Sequence, residues 1–510
     1  MRAYSATVGS SRNKPHPVVF LAGSAALLVY LPWKAAVFLV LLVVWCAAGF
    51  RALFCRSSRF MHAAYWLALG LGLWAGLLDY SYHSCAVPQC ALPPGKLRGA
   101  VLSVAGDPSP TKSGNTMVPV RLTALTGDDG LRVSARGALQ LVVAGSWSAA
   151  RGTLVHVPAT AEAFEKGFLY APTNKVLIIK NAPPLDSFRL RARSALMAAL
   201  DRSAGKASPL VKALVVGYRG ELDAESVRVF TDAGCAHILA LSGQHVAVLV
   251  CMVGALARIL SGKRGEFAVC IAGLAFFAWL TGASPSVVRA VLQYGLAGVF
   301  VKMDRPQSGL VVLGYTFWLT CFLFPGSPRT LSFELSYLAV AGILVLAEPA
   351  SFFLKKYLPR CAAKALGLGL GAMAGTSLLC ALVFGSVNLL APITSALLGP
   401  LITLLIWIGI CGAVLVGAVP ALVVVSRPVA EFTERAVLFL VKAGSPGFRA
   451  GGPSFVAGFS VVAIAGFVLY CYVRGRTRRA RFEKDFNEKT YQGRTRKPVY
   501  RSLKNLRAAR

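Results

Sequence analysis

Apolar segments long enough to cross a lipid bilayer recur along this chain, and short basic loops separate them. The sequence is apolar almost throughout between Ala236 and Val473, and 56% of all residues are hydrophobic while 15% are charged. Soluble domains carry about 25% charged residues, and a helix that crosses a bilayer needs about 20 mainly apolar ones. The pattern therefore predicts a polytopic α-helical integral membrane protein.

The basic loops predict how the helices are oriented in the membrane. Lys and Arg collect in the cytoplasmic loops of membrane proteins, and this chain carries 54 of them against 21 Asp and Glu. The predicted apolar segments are 17–33, 35–54, 62–79, 236–258, 266–281, 285–301, 307–325, 333–349, 364–387, 390–408, 410–426 and 453–474. The basic loops are Arg12 with Lys14, 51–59, 258–264, 302–305, 355–364 and the tail from Arg474. About twelve crossings place all these loops, and both termini, in the cytoplasm. We therefore predict a multi-pass protein of the cytoplasmic (inner) membrane, whose first apolar run is kept as a span because no cleavable signal peptide is recognisable.

Residues 80–183 follow a different pattern. Apolar and polar residues alternate in short runs, separated by turn residues such as Gly127-Asp128-Asp129-Gly130, as is typical of β-strands. Five or six strands at this spacing predict a small closed or Greek-key β-barrel of the OB-like kind. The loop pattern places this inserted domain outside the cytoplasm.

The remaining segments complete the predicted domain order. Residues 1–79 hold the N-terminal transmembrane helices, 236–474 the larger transmembrane domain, and 475–510 a basic cytoplasmic tail that either anchors on anionic lipid or receives nucleic acid. In 184–235 a helical stripe with flanking arginines predicts an amphipathic helix at the membrane interface, or equally a helix packed on the β-domain. The residues of the stripe are Leu185, Phe188, Ala192, Leu196 and Leu200.

Most of the twelve cysteines stand singly in apolar runs, but two lie close together in a polar, proline-containing stretch. Cys85 and Cys90 are five residues apart, just after a hydrophobic segment. If that side is extracytoplasmic, they can form a disulfide. The alternative is a pair of free thiols.

Ionisable residues within the apolar region are the candidate functional residues, because a charged or polar group in a membrane must be desolvated or find a partner. His237, Ser242 and His245 lie at the start of a predicted span, where His237, Leu241 and His245 would share one helical face and Gly243 would allow close backbone approach. The alternative is that the histidines only pack between helices.

Three motifs in this region resemble those of the ComEC family of DNA-uptake channels, in the same order. The motifs are Gly217-Tyr218-Arg219-Gly220 with His237-Ile238-Leu239-Ala240-Leu241-Ser242-Gly243-Gln244-His245-Val246, then Thr281-Gly282-Ala283-Ser284-Pro285-Ser286-Val287-Val288-Arg289-Ala290, then Leu331-Ser332-Phe333-Glu334-Leu335-Ser336-Tyr337-Leu338-Ala339. They span about 210–345, and the β-domain resembles the family's OB-fold region more weakly.

The resemblance implies a membrane channel that translocates single-stranded DNA into the cytoplasm during natural transformation. Arg289 would contact phosphate as a bidentate donor or, alternatively, extend to the membrane surface, and Glu334 would pair with Arg289 rather than touch DNA. The residues assigned to the DNA path are His237, Ser242, Gly243, His245, Arg289, Ser332 and Glu334. The implied partners are single-stranded DNA and membrane lipids, with a DNA receptor, a separate nuclease, a cytoplasmic DNA translocase and a second copy of the chain as further candidates.

In the β-domain the resemblance assigns a basic groove to DNA. OB-folds bind single strands by combining such a groove with aromatic rings on which bases stack. The domain has few aromatic residues, of which Phe164, Phe168 and Tyr170 come late, so that a purely structural barrel is the alternative. The basic residues assigned to DNA are Lys96, Arg98, Arg121, Arg132 and Arg136.

Many family members end in a metallo-β-lactamase-like domain, and this chain resembles a short form without it. Its six histidines form no His-x-His-x-Asp-His cluster, so we expect no metal, no cofactor and no enzymatic activity. One rival function is an intramembrane hydrolase with Ser242 as nucleophile and His245 as base. Another is a transporter of a different anionic substrate, or a family member without a role in uptake.

Overall fold

The computed structural model describes Trp74 and residues 97–111, 113–127, 132–158, 168–445 and 449–451. Several sequence predictions fall outside the described residues and stay predictions. They are the apolar segments 17–33, 35–54 and 453–474, nearly all of 62–79, the basic tail, Lys96 and the pairing of Cys85 with Cys90.

The segment of alternating polarity forms a curled sheet, a half-barrel. Its strands are β1 (Leu97–Val104), β2 (Ser109–Pro110), β3 (Thr116–Gly127), β4 (Arg132–Val143), β5 (Leu154–Pro158), β6 (Phe168–Ala171) and β7 (Leu177–Lys180). Side chains on one face, such as Val118, Val120 and Leu141, are buried together, because successive residues of a strand point to opposite faces.

The order of the strands corrects the prediction of a closed barrel. The described strands pair in the order β6-β4-β3-β1-β5-β7, and β2 pairs with β3. β5 uses one edge for β1 and the other for β7, so it does not close onto β6. Among the described strands the sheet is therefore open between β6 and β7.

Most of the chain after the sheet is helical. The helices are α1 (Pro184–Ala204), α2 (Ser208–Val215), α3 (Ala224–Asp232), α4 (Ala236–Leu239), α5 (Gly243–Thr281), α6 (Pro285–Lys302), α7 (Gly309–Leu323), α8 (Leu331–Leu354), α9 (Arg360–Phe384), α10 (Ala391–Ala418) and α11 (Val423–Gly444). Short 3-10 turns lie at Thr173–Lys175, Gly205–Ala207 and Pro420–Leu422, and β8 (Ser386–Asn388) pairs with β9 (Arg449–Gly451). The side chains of Ser242, Ser308 and Thr330 accept backbone N–H groups and so begin α5, α7 and α8.

Three described helices are long and apolar enough to cross a membrane: Leu331–Leu354, Arg360–Phe384 and Ala391–Leu415. Helix α5 consists of two shorter apolar arms that meet at a kink, where Gly262 has φ 65°. Arg258 in one arm lies 2.6 Å from Glu266 in the other, so the arms fold back on each other near the kink. These helices confirm the prediction of a helical membrane protein, while the number of crossings and their orientation stay predictions.

The region after residue 390 differs from the sequence prediction. The segment predicted at 390–408 and residues 410–418 of the next predicted segment form one helix, α10, while residues 423–426 already belong to α11. Gly409 and Gly412 lie at the predicted boundary, and both pack closely on neighbouring helices: a Cβ atom on Gly409 would lie 2.6 Å from Val211 of α2, and one on Gly412 2.8 Å from Ser203 of α1. Here the small residues serve helix packing rather than a turn, so the helix continues through them.

A stripe of glycines brings α8 and α9 into backbone contact. Gly367, Gly371 and Gly375 recur every four residues on α9 and face α8. A Cβ atom on Gly371 would lie 3.0 Å from the carbonyl oxygen of Gly342, and one on Gly375 would lie 3.1 Å from Cα of Gly342. Small residues at this spacing allow membrane helices to approach closely, so this pair depends on glycine at each contact.

Helix α1 connects the sheet to the membrane helices. Its C-terminal part contributes Leu200 and Ala204 to a core shared with α2, α10 and α11. At its N-terminal end Leu185 and Phe188 are exposed, and the ring of Phe188 stacks on Trp279 of α5 with 6.1 Å between centroids. Packing on protein therefore accounts for one face of α1, and contact of the exposed end with the membrane interface stays a prediction.

Candidate functional site

A break between α4 and α5 lies at the centre of the first sequence motif. Ser242 caps α5 by accepting the backbone N–H of Gln244 at 3.3 Å, while Nδ1 of His245 accepts the backbone N–H of Ser242 at 3.1 Å. Reciprocal bonds of this kind fix the residue at which a helix begins. The helix consequently does not run through 240–242, and His237, Leu241 and His245 do not share one helical face as the sequence predicted.

Arg289 lies one turn into α6 and is buried, with 5% of its surface exposed. Its Nε donates to Oγ of Ser336 on α8 at 2.7 Å, and its Nη1 donates to Oε1 of Gln293 at 2.9 Å. The guanidinium carbon lies 5.9 Å from the ring centroid of Tyr337. All of these partners are neutral.

No carboxylate pairs with Arg289 within the part of the chain that the structure describes. Glu334, which the sequence proposed as its partner, stands two residues before Ser336 on α8, and Ser336 makes the bond instead. A buried cation with only neutral partners keeps most of its desolvation cost. This arrangement is suited to receiving an anion, because an anion would supply the missing charge.

Two neighbouring contacts fix the position of the Arg289 guanidinium. A Cβ atom on Gly243 would lie 3.1 Å from Nη2 of Arg289, so the first residue of α5 must be small for the guanidinium to lie there. Ser286 donates its hydroxyl to the carbonyl oxygen of Leu241 and so ties the start of α6 to the chain break. The first two sequence motifs therefore meet at one place, and Ser336 brings in the third.

The other predicted path residues are not bonded to Arg289. His237 is exposed, and its Nδ1 lies 3.2 Å from the carbonyl oxygen of Gly234. Ser332 is exposed in the first turn of α8, and Glu334 is half-buried in the same turn. Of the seven assigned residues, Gly243 lies beside the Arg289 guanidinium, while Ser242 and His245 form the adjacent helix cap.

The cap also bears on the hydrolase alternative. Oγ of Ser242 lies 2.9 Å from Nδ1 of His245, close enough for proton transfer. Nδ1 already accepts a backbone N–H, so the proton of the neutral ring is on Nε2, which is buried and has no hydrogen-bond partner among the described residues. A catalytic histidine is normally oriented by a third group at its second nitrogen, and none is present here in the described chain.

The predicted DNA-contacting residues of the β-domain lie on the outer face of the sheet. Arg121 on β3 and Arg132 and Arg136 on β4 are exposed, opposite the buried face, and Arg98 on β1 is exposed as well. The parallel pairing of β4 with β6 sets Phe168 beside Gln140 and Tyr170 beside Val142, and both rings are exposed, at 52% and 61%.

The sequence indicated few stacking residues, and the parallel pairing could not be predicted from it. Phe168 and Tyr170 are two residues apart, which is the strand spacing that places side chains on one face. From that spacing the sequence could have predicted that the two rings lie on the same face of a strand. The basic and aromatic residues together form a surface of the kind that binds single strands.

Asp107, which the sequence analysis missed, joins the sheet to the helices. Its carboxylate pairs with Arg189 and Arg193 of α1, the latter at 2.9 Å, and lies 3.5 Å from Arg151. Arg151 and Arg189 in turn donate to backbone carbonyls at the end of α5, including Gly282 at 3.1 Å. Burial lowers the pKa of Arg193, and the charge of Asp107 opposes that shift. We call these four residues the Asp107 hub.

The 217–220 motif supports the same junction. Pro110 of the sheet lies so close to Gly220 that a Cβ atom there would overlap it. Nearby, Nζ of Lys212 lies 2.7 Å from both Asp201 and Glu221. Burial alone would lower the pKa of Lys212, but its hydrogen bonds to these carboxylates raise it above its ordinary value. This part of the motif therefore holds structure together rather than facing a substrate.

Comparison with known proteins agrees with the position of the motifs. The model of the family described as "Competence protein" matches residues 214–477. An uncharacterized protein of Aquifex aeolicus is 34% identical over 181 residues, covering 36% of this chain and 41% of that protein. No solved structure matches the chain significantly.

Two further relatives match shorter segments. ComE operon protein 3 of Bacillus subtilis is 32% identical over 143 residues, covering 27% of this chain and 18% of that protein. The uncharacterized protein YcaI of Escherichia coli is 28% identical over 148 residues, covering 26% and 19%. The chain thus spans well under half the length of the curated relatives it matches.

Proposed function

We infer the function from the premise that this chain belongs to the competence protein (ComEC/Rec2) family, and propose that it forms a membrane channel that carries single-stranded DNA into the cytoplasm during natural transformation. The observation that carries the proposal is Arg289. Its guanidinium is buried where α5, α6 and α8 meet, its bonds are to Ser336 and Gln293, and it lacks a carboxylate partner among the described residues. A phosphodiester supplies that negative charge and leaves again as the strand advances.

The chemistry at Arg289 fits a passing phosphate better than a resident anion. Nε and Nη1 already have neutral partners that hold the guanidinium plane, and Nη2 faces the backbone at Gly243. A charge-assisted bond from one nitrogen is strong enough to replace water around a phosphate. A single contact also permits release, which transport requires.

We propose that the β-domain guides the strand to this site. The parallel pairing of β4 with β6, and β1 lying between β3 and β5, are consistent with an OB-like strand order. Its outer face offers Arg121, Arg132 and Arg136 to phosphates, with Phe168 and Tyr170 available to bases. We assign the same role, contact with DNA phosphates, to Lys96 and Arg98.

The proposed orientation places the β-domain outside the cytoplasm. The end of α5 and the start of α6 lie at the β-domain, where Arg151 binds Gly282. Helices α6 and α8 run away from that end and finish at Lys302 and Leu354, so the loops 302–305 and 355–360 belong to the opposite side. Basic loops favour the cytoplasmic side, which supports an inner-membrane protein with the β-domain outside.

The remaining parts of the proposal concern partners. The sequence contains no G-x-x-x-x-G-K-[ST] motif, so a cytoplasmic DNA translocase or an ion gradient supplies the energy. A DNA receptor and a separate nuclease would supply the single strand, and a homodimer is compatible with the family. We propose that Ser242 and His245 cap α5 and do no catalysis.

The function is tested by deletion of the gene. We expect the deletion strain to lose acquisition of a selectable marker from externally supplied DNA, and a plasmid copy of the gene to restore it. DNA introduced by electroporation bypasses uptake and serves as the control, which should be unchanged. Marker acquisition at the wild-type frequency in the deletion strain would reject the proposal and favour a transporter of another anion.

Orientation is tested by labelling single cysteines in a chain whose native cysteines are replaced. Arg136→Cys lies on the outer face of the sheet, and Tyr357→Cys replaces a residue that is 75% exposed between α8 and α9. A membrane-impermeant maleimide should label position 136 in cells with an intact inner membrane, and position 357 only after permeabilisation. The opposite pattern would reverse the orientation.

A further inference from the structure

A cavity of about 340 Å³ lies where the sheet meets the start of α6 and the end of α7. Arg121 of β3 forms one side, and Ala283 and Val288 come from the turn and helix that lead to Arg289. The end of α7 and the loop after it complete the lining with Leu323, Phe324, Pro325 and Ser327. Its volume is at the small end of ligand sites, which occupy about 300–1,000 Å³.

Phe324 is held in place by a tight turn. The backbone N–H of Ser327 donates to the carbonyl oxygen of Phe324 at 3.0 Å, and Gly326 between them has φ 88°. Proline followed by a residue with positive φ is the pattern of a type II turn. Phe324 is nevertheless 40% exposed, and it lines the cavity beside this turn.

The lining combines the two groups that recognise single-stranded nucleic acid. Arg121 is a guanidinium for phosphate, and Phe324 is a ring on which a base can stack. Arg121 also belongs to the basic outer face of the sheet. The cavity therefore adjoins the surface proposed to guide the strand, and Val288 precedes Arg289 on α6.

We propose that this cavity is a nucleotide subsite at the mouth of the channel, where one base stacks on Phe324 while its phosphate contacts Arg121. The inference rests on the proposed function and adds a base-dependent contact to it. A subsite of this size accepts one unstacked nucleotide of a single strand and not a base pair. It therefore admits single strands and excludes duplex DNA before the strand reaches Arg289.

The test compares two oligomers on the full chain in lipid nanodiscs. The probes are a fluorescent oligothymidylate of about 15 nucleotides, within the site sizes of single-strand binders, and an abasic oligomer of the same length. The abasic oligomer has the same phosphates but nothing to stack. We expect wild-type protein to prefer oligothymidylate, and Phe324→Ala to weaken its binding about tenfold while binding of the abasic oligomer is unchanged.

Matched variants separate stacking from a general effect on the fold. Phe384→Ala removes a ring at the end of α9 that is more exposed than Phe324 (60% against 40%) and should leave both affinities unchanged. Phe324→Trp should retain the preference for oligothymidylate over the abasic oligomer. Arg121→Ala should weaken the binding of both oligomers by the same factor. Because Phe168 and Tyr170 are also available to bases, the deciding result is the change in affinity for oligothymidylate. An affinity that Phe324→Ala leaves unchanged, or that Phe384→Ala lowers equally, overturns the subsite.

Failure of the subsite and failure of the proposed function give different results. If marker uptake requires the gene but Phe324→Ala leaves the affinity for oligothymidylate unchanged, the subsite is wrong and the channel stands. If wild-type protein binds neither oligomer and the deletion strain takes up DNA normally, both are wrong.

Discussion

Arg289→Ala is expected to abolish DNA uptake while the protein is still inserted in the membrane at a near-normal level. The guanidinium is the buried cation that we propose to receive phosphate, and losing one charge-assisted contact costs about 1.5–3 kcal/mol, about tenfold or more at a bottleneck. Arg289→Lys keeps the charge but loses the planar group that Ser336 and Gln293 hold, so an intermediate frequency is expected. The measurement is marker acquisition divided by the amount of folded protein.

Arg289→Met is a more decisive test than Arg289→Ala, because the thermal stability of the protein should be kept or increased while DNA uptake is lost. Removing a buried cation that has only neutral partners relieves a desolvation cost, so the thermal midpoint in detergent should stay or rise while uptake is lost. Arg360→Ala, at an exposed position in the loop end of α9, is the control and should change neither. A fall in protein level with unchanged uptake per folded molecule would mean that Arg289 only packs helices together.

Gly375→Ala is expected to lower the thermal stability of the membrane domain substantially. The added Cβ atom would overlap the carbonyl oxygen of Leu338 and lie 3.1 Å from Cα of Gly342, and neither backbone can move without separating α8 from α9. Overpacking of this kind costs about 1–3 kcal/mol, which corresponds to a shift of about 2–4 °C per kcal/mol in a large domain. The measurement is the thermal midpoint of purified protein, with protein level in membranes as a second readout.

Gly254→Ala is the matched control for that substitution. A Cβ atom there would lie 3.5 Å from Cys270 and Glu266, an ordinary contact distance. Because alanine is the better helix former by about 1 kcal/mol, this variant should be neutral or slightly more stable. Equal midpoints for the two variants would show that the glycine stripe does not hold α8 and α9 together.

The features that sequence predicted well are those set by local periodicity. The alternation in 97–180 predicted strands, and long apolar runs predicted the helices α8, α9 and α10, because hydropathy acts within each segment. The division of 390–426 at residue 409 failed, since the packing of Gly409 and Gly412 on α2 and α1 joins residues distant in sequence. The helix start at Gly243 was also missed, although Ser242 before it is a common capping residue.

The site was predictable only in part, because its contacts join distant parts of the chain. Arg289 was identified because it is ionisable within an apolar region. Its partner Ser336 lies 47 residues away, and the sequence favoured Glu334 on the same helix instead. Asp107 was overlooked for the same reason, since its partners Arg189 and Arg193 are 82 and 86 residues distant.

The Asp107 hub has a consequence for how the proposed channel would open. One carboxylate is shared by three guanidinium groups, two of which also bind the backbone at the end of α5. With Pro110 seated against Gly220, the sheet is fastened at two points and has no hinge between them. We therefore expect the sheet not to rotate relative to the helices. In the proposed channel the DNA strand would then move over a stationary surface, and a gate is expected among the helices.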